Sequence, residues 1–84
     1  MVEYRYTRHQ VARAALPDAE TDRRIYLIKN VSVLHATYQV RLLAFAAMQK
    51  GKKLVLRIPR NCTLGPSLKR LRKEHPKLIE VERA

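Results

Sequence analysis

"KKLVLRIPRNCTLGPSLKRLRKEHPKLIEVER", residues 52–83, decides how this chain folds. In its first part, 52–59, Leu54, Leu56 and Ile58 share one side of a period of two, and Val55 and Arg57 share the other. That pattern predicts a strand with one buried face and one partly open to solvent. Pro59 has no N–H to give to a ladder and ends the strand. A loop follows over 59–64, and then Gly65-Pro66 opens a helix that runs to His75. Leu64, Leu68, Leu71 and His75 recur at helical spacing in one narrow stripe, with basic residues around the rest. Pro76 stops the helix. In 77–83, Ile79 and Val81 alternate with Glu80 and Glu82, the pattern of a half-buried strand at a sheet edge.

Upstream, "RIYLIKN" (24–30) is an unbroken β-branched and aromatic run, as expected of a central strand covered on both faces. Asn30 and Ser32 are suitable N-caps for a helix running from Ser32 to Gln49. Lys50 in its last turn and Gly51 just beyond give it a stop signal. Its apolar positions wrap past a single stripe, so most of its circumference should be buried.

Strand, helix, strand, helix, strand with short connections is the βαβ signature, and right-handed crossovers are its default. The expectation is therefore an α/β (or α+β) fold in a single domain, 1–84. Its small, mainly parallel βαβαβ sheet has three to four strands and two or three helices. Residues 24–83 form the core and 1–23 an N-terminal segment. Within that segment, Val2, Tyr4 and Tyr6 alternate with polar residues as a weak strand over 2–7, and "HQVARAAL" (9–16) is a short helix ended by Pro17. A single Arg-rich helix is the alternative there. Residues 17–23 are an acidic loop. Tyr4 and Tyr6 are read as packing residues rather than base-stacking platforms.

Composition narrows the function. With one cysteine, Cys62, no internal disulfide can form, which points to a reducing, cytoplasmic setting. Arg5, Arg8 and Arg13 interrupt the N-terminus before an apolar run develops, so no secretory leader is expected. The longest apolar region, 31–48, holds Arg41 near its middle, at a cost of roughly 2.5–3.5 kcal/mol in a bilayer. No membrane partner is expected.

The net charge is +11, unevenly spread. Residues 50–77 hold ten Lys or Arg against Glu74 alone, a net of +9. Such clustering is the electrostatic footprint of a polyanion binder, although a solvated basic face also keeps a small domain soluble. Arg60, Lys69, Arg70, Arg72 and Lys73 are the candidate phosphate contacts, with Lys52 and Lys53 as a secondary group. Lys69 and Arg70 sit early in their helix, where the dipole disfavours cations. A charge order not chosen for helix stability tends to mark function.

The loop ahead of that helix carries Asn61, Thr63, Gly65 and Ser67, a chemically plausible phosphate cradle. The spacings of a Walker loop or a dinucleotide fingerprint are absent, so a turn and helix cap is the simpler interpretation. Cys62 in that loop invites a nucleophile, yet no base is placed beside it by sequence. His9, His35 and His75 show no metal-ligand spacing. No catalytic residue, metal or cofactor is expected.

Three functions remain. The first is a non-catalytic binding module for nucleic acid or another polyanion, such as an acidic protein. The second is a protein-interaction or regulatory domain, with homodimers formed through an exposed strand edge. The third is a phospho-ligand or small enzyme site at 60–67.

Overall fold

The computed structural model describes residues 16–84. The strand expected over 2–7 and nearly all of the helix expected over 9–16 lie outside the described residues. The elements follow in the order β1 (Ala19–Glu20), β2 (Arg24–Ile28), β3 (Val33–Leu34), α1 (Tyr38–Lys50), β4 (Lys53–Ile58), β5 (Thr63–Leu64), α2 (Pro66–Glu74) and β6 (Ile79–Arg83). Four strands form one sheet in the order β1-β2-β4-β6, and β3 and β5 form a two-stranded sheet.

β2, β4 and β6 run parallel, as the strand–helix–strand spacing predicts. β1 pairs antiparallel with β2, so the sheet is mixed rather than mainly parallel. Part of the expected acidic loop 17–23 thus becomes a hairpin arm, for local reasons. The Thr21 hydroxyl accepts the Arg24 N–H at 3.0 Å, and the Thr21 N–H donates to the Arg24 carbonyl at 2.8 Å. A hydroxyl that bonds its own backbone in this way closes a turn. Asp18 then pins the arm's far end, its carboxylate accepting the Ile28 N–H at 2.7 Å.

α1 begins six residues later than its apolar run implies, because the backbone at 32–34 is drawn into another ladder. The Ser32 and Leu34 carbonyls accept the Thr63 and Gly65 N–H groups, each at 2.8 Å. Residues 33–34 are thereby extended as β3, beside a β5 that was expected to be loop. The N-cap is Thr37, not Asn30 or Ser32, and its hydroxyl accepts the Val40 N–H at 3.2 Å. The C-terminal end is as expected. Gly51 takes φ 68°, its N–H bonds the Met48 carbonyl at 3.2 Å, and the Lys52 N–H bonds the Ala47 carbonyl at 2.8 Å. This is the Schellman pattern, which favours glycine at C′.

Both helices pack on one face of the sheet, as right-handed crossovers stepping in one direction require. Ile25, Leu27, Leu54, Leu56, Ile58 and Ile79 meet Val40, Leu43, Ala47, Leu68 and Leu71 in a single hydrophobic cluster. Burying each large aliphatic side chain contributes roughly 1.5–3 kcal/mol. The opposite face was expected to be covered at β2, but Ile28 is 52% exposed there and Tyr26 only half-buried. Val55 is nonetheless buried on that side. Arg24 and Glu80, from the strands flanking β4, meet over it at 3.3 Å. α1 is likewise less enclosed than expected, with Tyr38, Phe45 and Met48 exposed. Among the described residues, no helix is long and apolar enough to cross a membrane.

Candidate functional site

α2 holds the chain's most concentrated charge, and its apolar stripe fixes which way that charge points. Leu68 and Leu71 are buried in the core. Lys69, Arg70 and Lys73, on the opposite side of the helix, are therefore exposed together. Arg72 is half-buried and turns toward β6, away from these three. Arg60 is exposed in the turn that leads into β5 and α2. The dipole mismatch is smaller than expected, because Arg72 and Lys73 occupy the last turn, where cations are favoured. No acid occupies the first turn.

Ion pairing separates the cations into two groups. Lys50 and Lys52 share Glu20 at 3.0 and 2.6 Å, and Lys52 also donates to the Thr21 carbonyl at 2.7 Å. Arg24 and Lys53 share Glu80, each at 3.3 Å, and Arg57 holds Glu82 at 2.9 Å. The hydrogen bond from Lys52, reinforced by Lys50, holds the Glu20 carboxyl below its ordinary value of 4.5. Arg24, and then Lys53, do the same for Glu80. Lys52 and Lys53, expected as a secondary phosphate group, are thus each paired with a carboxylate that a second cation shares, and lie at the opposite end of β4 from Arg60.

Lys69, Arg70, Arg72, Lys73 and Arg60 stand differently. Among the described residues, none of them has a carboxylate within 4.0 Å. Even Glu74, four residues beyond Arg70 on the same helix, makes no ion pair there. Carboxylates therefore offset part of the charge on the β1 side and the open sheet face, while the outer face of α2 keeps all of its own.

The 60–67 loop is organised by packing. Its Cys62, Thr63 and Gly65 N–H groups donate to the Pro59, Ser32 and Leu34 carbonyls at 3.1, 2.8 and 2.8 Å. The Ser67 hydroxyl accepts the Ala36 N–H at 3.0 Å, tying the start of α2 to the approach to α1. Gly65 has φ −70°, so backbone strain does not require glycine. Space does, because a Cβ there would lie 2.4 Å from the His35 Nδ1. Three backbone donors of the loop are thus bonded within the fold, and of the four cradle residues Asn61 and Thr63 are exposed while Gly65 is buried and Ser67 half-buried.

Cys62 is buried, a free thiol within the core cluster. Among the described residues, no three His, Cys, Asp or Glu side chains converge as a metal-ligand set.

Arg83 was absent from the expected site. Its Nη1 donates to the Arg60 and Cys62 carbonyls at 3.2 and 2.5 Å, bringing a further cation to the Arg60 turn. The register Ile58↔Arg83 places it there. That signal was readable, since parallel pairing of the last two long strands sets the end of β6 beside the end of β4. Comparison with family models, curated proteins and solved structures finds no match for this chain.

Proposed function

We propose that this protein is a small polyanion-binding module whose preferred partner is nucleic acid, held by phosphate contacts from the outer face of α2. Lys69, Arg70 and Lys73 make the principal contacts, and Arg60 extends them at the helix mouth. One observation carries the proposal. The cations of this face have no carboxylate partner among the described residues, whereas Lys50, Lys52, Lys53, Arg24 and Arg57 are each held by one. Uncompensated charge gathered on one surface raises the local potential that attracts phosphates. Contacts of this kind position a backbone and carry little sequence information, so binding is weakly sequence-specific.

A phospho-ligand or enzyme site at 60–67 has less support, because its Cys62, Thr63 and Gly65 N–H groups bond within the fold. The module works in the cytoplasm, where a lone thiol stays reduced.

Fluorescence anisotropy tests the proposal with labelled duplex DNA, single-stranded RNA and polyglutamate at about 50 to about 200 mM salt. Three or four phosphates neutralised give a slope of log K against log salt near about −3 on duplex DNA. A flat salt response, or polyglutamate binding as tightly as either nucleic acid, defeats the reading.

A further inference from the structure

β6 ends the sheet, and its hydrogen-bonding register shows which of its backbone groups are left over. The Leu54 N–H donates to the Leu78 carbonyl and the Ala84 N–H to the Ile58 carbonyl, at 2.8 and 3.0 Å. With the pairs Leu54↔Ile79 and Leu56↔Val81 in a parallel ladder, Glu80, Glu82 and Ala84 point their backbone groups toward β4. Ile79, Val81 and Arg83 point theirs outward. No strand of the described residues pairs with that edge.

A cleft of about 450 Å³ runs along it, lined by Arg72, Lys77, Ile79, Val81 and the two glutamates among others. Charged side chains on an edge strand ordinarily block pairing. Here Glu80 and Glu82 lie on the open face and are held by Arg24, Lys53 and Arg57, which leaves the edge itself accessible. A second observation lies on the α2 side. The Arg72 Nε is buried and meets no hydrogen-bond acceptor, the sole such side-chain atom among the described residues. A buried donor without an acceptor is costly, and a charged one more so.

We propose that the β6 edge is a strand-addition site for an extended acidic segment of a partner protein, whose carboxylate is received by Arg72. The outward groups of Ile79, Val81 and Arg83 supply the ladder, and alternate side chains of the added strand supply selectivity. Residues on the α2 side of the added strand meet Arg72 and Lys77 and are acidic. Those on the open side lie beside Glu80 and Glu82 and are neutral. Charge selects this occupant over a second copy of the chain, since Arg72 and Lys77 favour acidic side chains and two copies, each carrying +11, repel one another as whole molecules.

The probe is a blocked heptapeptide of alternating threonine and glutamate, titrated into the full chain, with glutamine replacing glutamate in the control. At saturation, the Ile79, Val81 and Arg83 amides exchange at least about tenfold more slowly, while Glu80 and Glu82, already bonded to β4, do not change. The glutamine peptide binds at least about tenfold more weakly, as loss of a charge-assisted bond implies. Arg72→Gln narrows that difference between the peptides, and Arg72→Gln/Lys77→Gln removes it. Val81→Pro deletes an outward N–H without touching the β4 ladder, and lowers peptide affinity with nucleic-acid binding retained. Absence of protection at the three amides, equal affinity for both peptides, or shifts confined to Lys69, Arg70 and Lys73 overturns the proposal.

Discussion

Gly65→Ala is the substitution that separates a packing role for the 60–67 loop from a phosphate-binding one. The residue sits at φ −70°, ψ 163°, where alanine is comfortable, so any cost comes from contact rather than from backbone. The new Cβ would lie 2.4 Å from the His35 Nδ1 and 2.9 Å from its Cε1, about 1 Å inside ordinary van der Waals separation. The ring must swing away or the β3–β5 ladder must open. Overpacking of this size costs roughly 1–3 kcal/mol. In a domain this small, each kcal/mol lowers the midpoint by about 4–8 °C, so a fall of at least about 5 °C is expected in thermal unfolding. If His35 causes the cost, His35→Ala in the same chain restores most of it, and the double-mutant cycle returns a coupling of about 1 kcal/mol or more. Loss under about 0.5 kcal/mol, or no relief from His35→Ala, refutes this account of the glycine.

Three further outcomes follow from the same contacts. Leu68→Ala, at a fully buried position of α2, should lose about 2–5 kcal/mol in urea unfolding, whereas Lys69→Ala one residue on should stay within about 0.5 kcal/mol. Thr37→Ala removes the hydroxyl that caps α1 and should cost about 0.5–2 kcal/mol, which Thr37→Ser largely recovers. Glu20 and Glu80 have carboxyls held below 4.5 by their lysine and arginine partners, so their stabilising effect is complete above that pH. It is lost as pH falls through their lowered folded values, and Glu80→Gln should flatten the acid limb of a stability-against-pH curve.

Most of residues 52–83 was legible because β4, α2 and β6 are each decided locally, whereas β5, expected as loop, depends on its pairing with β3. Alternation sets β4 and β6, prolines bound them, and Leu64, Leu68 and Leu71 give α2 a single stripe. The parts that escaped are decided by hydrogen bonds that neither alternation nor a helical stripe encodes, some local and some distant in sequence. Val33 and Leu34 belong to an apolar run that suits a helix, and the Thr63 and Gly65 N–H groups, donating to the Ser32 and Leu34 carbonyls, draw them into a strand. Ala19 and Glu20 form a strand because Thr21 turns the chain back and Asp18 reaches Ile28. The open sheet face was hidden for a related reason, since an apolar run such as "RIYLI" does not say that ion pairs rather than a second layer will cover it. Among the site residues, helical spacing alone groups Lys69, Arg70 and Lys73. Which cations carboxylates hold is a tertiary fact, and it sets Lys52 and Lys53 apart from the face of α2.

The most direct measurement compares two charge-matched triple variants in salt-dependent binding to duplex DNA: Lys69→Ala/Arg70→Ala/Lys73→Ala, and Lys50→Ala/Lys52→Ala/Lys53→Ala. If the outer face of α2 holds the phosphates, the first triple lowers the magnitude of the log–log salt slope by about 2–3, while the second leaves the slope within about one of wild type. Equal losses from the two triples would mean that net charge alone drives binding, and the site on α2 would be contradicted.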